Sequence, residues 1–193
     1  MSLPPSTNNR PVIAVFGSSA PQQGQPDYEE AREVGRLLAE SGFAVATGGY
    51  SGTMTAVSQG AAEAGGHVIG VTCAMIEKFR PLGPNPWITE LIHYPSLRER
   101  LIHLVEQNDG MIVLPGGIGT LSEMALAWSL IQVEEISLRP LILMGQMWQD
   151  TVKAFIQASY VYETHQELIK ITLTPQQAVE ALKMEMGKNA GTE

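Results

Sequence analysis

The chain has 193 residues, enough for one domain with a full core and no need of disulfides or metal staples. Apolar residues make up 44% and charged residues 17%, with a mean hydropathy of +0.01, which excludes wholesale disorder and collagen-like structure. The 12 basic and 20 acidic residues leave a net charge of −8, and Lys and Arg form no run. A broad nucleic-acid footprint is thereby excluded, while a small anion held by backbone N–H groups and one or two arginines is not.

Cys73 is the only cysteine, which excludes an intrachain disulfide and a zinc cluster, and its apolar surroundings read as packing. No apolar run approaches the roughly 20 residues that span a bilayer. The polar, proline-rich start, residues 1–11, does not look like a secretory signal and reads as a flexible segment. A cytoplasmic protein is expected.

Beyond that start, apolar runs alternate with helix-like stretches, the pattern of a parallel sheet covered on both faces. Val12–Phe16 is the first strand and ends in Gly17-Ser18-Ser19. Asp27 and Glu30 read as a capping box opening a helix to about Ser41, with Gly42 as its C-cap. Phe43–Ala46 is the second strand and runs into Thr47-Gly48-Gly49-Tyr50-Ser51-Gly52. Residues 53–64, rich in alanine and small polar groups, form a helix stopped by Gly65-Gly66, and His67–Thr72 is the third strand.

Residues 77–90 carry Pro81, Pro84 and Pro86 and are expected to form a long loop, either an ordered lid or a surface excursion. Ser96 and Glu99 form a capping box for a helix to about Asn108. Met111–Leu114 is the fourth strand, followed at once by Pro115-Gly116-Gly117-Ile118-Gly119-Thr120. A helix from Thr120 to about Ile136, a strand at Pro140–Met144 and a helix at Trp148–Tyr160 come next. Ile169–Leu173 and Pro175–Met184 close the fold, with 185–193 as a flexible tail. The expectation is an α/β protein: a Rossmann-like, doubly wound parallel sheet in one nucleotide-binding domain over residues 12–184.

Three of these strands end in glycine- or serine-rich turns that lead into helices, after Phe16, Ala46 and Leu114. Glycine lets backbone approach a phosphate closely, and a helix N-terminus adds free N–H donors. The P-loop pattern is absent, and Gly17-Ser18-Ser19-Ala20-Pro21 is not the dinucleotide fingerprint, so a mononucleotide fits better than NAD. His93 and His103 stand alone without metal-ligand spacing, and His67 reads as structural, so no metal is expected.

The stretch Pro115–Glu123 resembles the signature of the Lonely Guy family of cytokinin-activating phosphoribohydrolases, long labelled possible lysine decarboxylases. Val15–Ser19 is similar to that family's first turn, Thr47–Met54 to its second glycine loop, and Leu97–Leu101 to its arginine helix. The resemblance implies catalysis by Arg100 and Glu123, with the phosphate held by Gly116, Gly117, Gly119 and Thr120. Gly17, Ser18, Gly48, Gly49 and Gly52 complete the expected nucleotide-binding set. It also implies a nucleoside 5′-monophosphate substrate, no cofactor and a homodimer formed through the helix after Thr120. Thr47, Thr53, Thr55, Cys73 and Leu101 depart from the family pattern around the expected pockets.

Competing readings stay open at this level. Thr120-Leu121-Ser122-Glu123 is itself a capping box, in which Glu123 would only satisfy a backbone N–H. Arg98 and Arg100 lie about 200° apart on a helix, so only one of them faces the sheet edge. If Glu123 lies in a first helical turn, the N-terminal potential keeps it ionised. A non-catalytic carrier of nucleotide or molybdenum cofactor, from the same superfamily, is the alternative to a hydrolase. A pyridoxal-dependent decarboxylase is set aside, because none of the five lysines sits in a glycine-rich turn.

Overall fold

The computed structural model describes residues 10–156 and 160–189. In chain order the elements are β1 (Val12–Phe16), α1 (Pro26–Glu40), β2 (Ala44–Thr47), α2 (Thr53–Glu63), β3 (Val68–Cys73), α3 (Ala74–Phe79) and β4 (Glu90–Tyr94). Then follow α4 (Leu97–Glu106), β5 (Gly110–Val113), α5 (Ile118–Gln132), β6 (Leu141–Met144), α6 (Gln146–Ile156), α7 (Glu163–Gln166), β7 (Ile169–Thr172) and α8 (Pro175–Asn189). The seven strands form one sheet in the order β4-β3-β2-β1-β5-β6-β7, and every pairing is parallel. This is the expected doubly wound α/β architecture. No helix among the described residues is long and apolar enough to cross a membrane.

Strand periodicity sends alternate side chains to opposite faces, and two cores result. Ile13 and Val15 of β1 join Leu38, Val57, Ile112, Ile142 and Leu182 under α1, α2 and α8. Ala14 and Phe16 join Leu104, Val113, Trp128 and Trp148 under α4, α5 and α6. The small residues of α2 serve α1 as well as the sheet. A Cβ on Gly35 would lie 2.1 Å from the Val57 carbonyl oxygen, so these two helices cross nearly backbone to backbone.

Several element expectations are corrected. The segment 77–90 is not all loop: α3 extends through Phe79, and Glu90 begins a seventh strand. That strand lies at the sheet edge with only alternate residues half-buried, so its apolar signal is weak. Pro26 opens α1 behind Gln25, and neither Asp27 nor Glu30 caps it. Gly42 does follow the helix in a left-handed conformation (φ +86°). The Ser96 cap is present, its hydroxyl accepting from the Glu99 N–H at 3.2 Å. The last helix runs to Asn189, into the expected tail, while residues 1–9 and 190–193 lie outside the described residues. The expected helix at Trp148–Tyr160 is observed as Gln146–Ile156, and residues 157–159 lie outside the described residues.

Candidate active site

β1 and β5 are neighbours whose chains continue to opposite sides of the sheet, so their following turns diverge and leave a crevice. The Leu114 N–H donates to the Phe16 carbonyl at 2.8 Å and keeps the two strand ends together just below it. The crevice is a cleft of about 350 Å³. Its walls include Gly17, Ser18, Gly48, Gly117, Gly119, Thr120, Arg100 and Glu123 from the expected set.

Gly49, Gly52 and Gly116 do not line the cleft. Gly52 has φ +70°, and a Cβ there would lie 2.3 Å from the Ser18 carbonyl oxygen. It lets α2 start against the β1 turn, where the Thr53 N–H and hydroxyl both donate to that same oxygen, at 2.9 and 3.0 Å. Gly49 has φ +78° and packs on Thr72, and Gly116 packs on the Thr120 side chain. These three positions shape backbone.

The departures from the family pattern are likewise absorbed inside the protein. The Thr47 hydroxyl accepts from the Gly49 N–H at 3.1 Å, and the Thr55 hydroxyl donates to the Tyr50 carbonyl at 2.7 Å. Thr47 and Cys73 are fully buried, Leu101 packs against the core, and none of the five lines the cleft. They were expected to border the pockets. Instead they brace the loops from behind.

Arg100 and Glu123 meet at the floor, with Nη1 3.5 Å from Oε1, and both are buried (6% and 8% exposed). Arg98 is exposed, which resolves the choice between the two arginines. The Arg100 guanidinium is fixed by donation from Nε to the Val71 carbonyl at 2.8 Å and from Nη2 to the Gly48 carbonyl at 3.3 Å. The Tyr50 ring packs beside it, 5.8 Å from Cζ. Tyr50 is held in turn: its hydroxyl accepts from the Cys73 N–H at 2.8 Å and faces the Cys73 carbonyl and the Glu77 carboxylate.

The capping-box reading of Glu123 fails on geometry. α5 begins two residues before Thr120, with Gly117 as N-cap and no side chain capping it. Glu123 therefore sits in the second turn and points into the cleft. Its ionisation also differs from expectation. Burial pushes the carboxyl up to about 7, and the Arg100 charge offsets only part of that rise. The guanidinium has already committed two of its nitrogens to carbonyls. An acid poised near neutrality is suited to moving a proton at physiological pH.

The uncapped first turn of α5 presents its free N–H groups at the cleft edge beside Gly117 and Gly119, a ready anion seat. The opposite wall holds residues that sequence reasoning missed: Tyr50, Met54, Ile76, Phe79, Arg80 and Leu82. Tyr50 and Met54 lie in the second glycine loop that the sequence marked, while the unusual length of the proline-rich stretch was the only signal for Phe79, Arg80 and Leu82, and Ile76 had none. Among the described residues, no three His, Cys, Asp or Glu side chains are placed to hold a metal. His67 is partnered by Glu90 and Thr89, as a structural histidine would be.

A family model described as "Possible lysine decarboxylase" matches residues 54–182. The cytokinin riboside 5′-monophosphate phosphoribohydrolase of Mycobacterium tuberculosis is 35% identical over 119 residues, 61% of this chain and 62% of that protein. The pyrimidine/purine nucleotide 5′-monophosphate nucleosidase of Escherichia coli K12 is 34% identical over 130 residues, 62% of this chain and 28% of that protein. The solved molybdenum cofactor binding protein of Rippkaea orientalis superposes with a TM-score of 0.70 at 26% identity, over 91% of this chain and 96% of that one. The chain spans about three fifths of the first two curated relatives it matches, 62% and 58%. Because the matched span runs from α2 into α8 and carries the whole Arg100–Glu123 floor, the chain belongs to the possible lysine decarboxylase family, the Lonely Guy family its motifs resemble.

Proposed function

We propose that the protein hydrolyses the N-glycosidic bond of a nucleoside 5′-monophosphate, releasing free base and ribose 5-phosphate. The observation that carries this reading is the Arg100–Glu123 pair on the floor of a cleft edged by the free N-terminus of α5. The two relatives of stated activity act on the same bond class.

The phosphate sits on the N–H groups of the Gly117–Thr120 turn, with the Thr120 side chain beside it. That seat directs the sugar toward Glu123. As the bond between C1′ and the base nitrogen breaks, its electron pair leaves with the base and C1′ becomes oxocarbenium-like. The ionised Glu123 carboxylate stabilises that charge and accepts a proton from the water that adds to C1′. The departing base nitrogen takes up one proton, so the products balance substrate plus water. Arg100, locked on the Val71 and Gly48 carbonyls, fixes the carboxylate and favours its anionic form. Incubation with AMP, CMP and other nucleoside monophosphates tests the reading, with chromatography of free base and ribose 5-phosphate. No base from any of them overturns it.

A second reading is a carrier that binds a phosphate-bearing cofactor without turnover. The near-complete superposition on the molybdenum cofactor binding protein favours it. Such a cofactor would use the same α5 edge for its phosphate. The buried acid near neutrality favours the hydrolase, because a carrier has no proton to move. Decarboxylation of lysine is not proposed: no lysine lines the cleft to hold pyridoxal phosphate.

We also infer a homodimer through α5. Its outer side borders an apolar groove of about 550 Å³ with α6, lined by Leu121, Met124, Trp128, Phe155 and Tyr162. Leu121, Phe155 and Tyr162 remain exposed, as an uncovered contact surface would leave them. The helix ends at Gln132, short of the expected end near Ile136. A monomer in light scattering at micromolar concentration overturns this assignment.

A further inference from the structure

Two basic side chains line the cleft, Arg80 and Arg100, and they are held in opposite ways. Arg100 is buried, with Nε and Nη2 donating to carbonyls and Nη1 turned to Glu123, so its guanidinium is already held by the protein on three sides. Arg80 is exposed and follows directly on α3. Its guanidinium lies 5.8 Å from the Phe79 ring, and Nη1 donates to the Ser19 hydroxyl at 3.1 Å. The reaction described above leaves Arg80 without a role.

The segment that carries Arg80 is pinned on both sides of it. Upstream, the Glu77 carboxylate lies 3.3 Å from the Tyr50 hydroxyl. Downstream, the Asn85 N–H donates to the Gly49 carbonyl at 2.8 Å, and its buried amide donates to the Tyr50 carbonyl and faces the Ser58 hydroxyl. Between these anchors Phe79, Arg80 and Leu82 are exposed, and all three border the cleft. Their anchors rest on the second glycine loop, so the arm has a fixed base and a free middle. Among the described residues, its polar tether to the β1 turn is the bond from Arg80 to Ser19.

An anion seated on α5 meets backbone N–H groups and the Thr120 hydroxyl, none of which carries a full charge. The chain as a whole carries −8, which opposes binding of a phosphate dianion. We propose that Arg80 binds the substrate's 5′-phosphate, exchanging its bond to Ser19 for phosphate oxygens. A guanidinium presents paired donors that match two phosphate oxygens, and a charge-assisted bond is stronger than one to a neutral hydroxyl. The exchange draws the arm across the phosphate while leaving the Arg100–Glu123 floor untouched. Its place in binding rests on the nucleoside monophosphate reading; its chemistry is that of any sugar phosphate.

Calorimetric titration of the wild type, Arg80→Gln and Arg80→Lys with ribose 5-phosphate, and with ribose as control, tests the assignment. Arg80 is exposed, so the variants fold. Arg80→Gln is expected to weaken ribose 5-phosphate about tenfold or more, and Arg80→Lys to recover part of the loss. With AMP, KM rises by a similar factor while kcat stays within about twofold. Equal ribose 5-phosphate affinity in wild type and Arg80→Gln overturns the proposal. If the wild type binds ribose 5-phosphate but releases no base, the hydrolase reading fails and the same comparison still decides the role of Arg80. A wild type that binds no ribose 5-phosphate overturns the Arg80 assignment, while base release still decides the hydrolase reading.

Discussion

The turns after β2 and β5 look interchangeable in the sequence, since each is a glycine cluster between a strand and a helix. The structure gives them opposite roles. In the β2 turn, Gly49 and Gly52 adopt left-handed conformations, and any Cβ would strike Thr72 or the Ser18–Ser19 backbone. In the β5 turn, a Cβ on Gly117 or Gly119 would meet nothing within 4 Å. One turn is a packed wall and the other an open edge. Glycine is required in the first so that protein can touch protein, and in the second it leaves backbone open to the cleft. Arg100 is held from the packed side and Glu123 from the open side, and the floor of the cleft is where they meet.

The largest effect is expected at that junction. Glu123→Gln keeps the shape but removes the charge facing C1′, and should slow base release by about 100- to 1,000-fold. Affinity for ribose 5-phosphate should stay near the parent value, because the α5 N–H groups remain. A variant that hydrolyses monophosphates at the parent rate, measured by base release, would detach Glu123 from the chemistry.

Gly52→Ala tests the packed wall. Left-handed backbone and a 2.3 Å approach to the Ser18 carbonyl together predict a loss of about 2–4 kcal/mol in urea unfolding. If the variant is as stable as the parent, the β2 turn is not packed as described.

The pH dependence of stability isolates Glu123. Its carboxyl has an ordinary value of 4.5 and is raised to about 7 in the fold by burial. Between those limits the folded chain binds more protons than the unfolded chain, so this group's contribution to stability falls as pH rises from about 4.5 to 7. The slope is at most about 1.4 kcal/mol per pH unit. Glu123→Gln lacks it, so the variant should gain on the parent in melting temperature from pH 5 to pH 8. Parallel pH profiles for the two proteins would mean that the carboxyl is not raised.

The smallest stability effect belongs to the open edge. Gly119→Ala lies on a helix with free space around it and should change stability by less than about 1 kcal/mol. It should nevertheless weaken ribose 5-phosphate, because the added methyl stands where the anion approaches. Stability unchanged and binding unchanged together would move the phosphate off this turn.

Much of this protein is written locally. The alternation of buried strands with helices, the Ser96 cap and the order of the glycine motifs follow from residues near one another in the chain, because pleat, helical pitch and turn chemistry act over a few residues. Arg100 and Glu123 were legible only through the resemblance of their motifs, since 23 positions separate them along the sequence. What only the tertiary structure decided comes from distant partners. Edge strand β4 exists because β3 offers it a ladder along Ile69–Cys73, not because Glu90–Tyr94 is strongly apolar. Thr47, Thr53 and Thr55 turned from suspected pocket residues into loop braces because their oxygens found partners inside the protein. Glu123 turned from an ionised helix-end carboxylate into an acid near neutrality for the same kind of reason. Helix position sets a local potential, but the loss of water around a side chain depends on everything folded over it, and here burial outweighs the arginine.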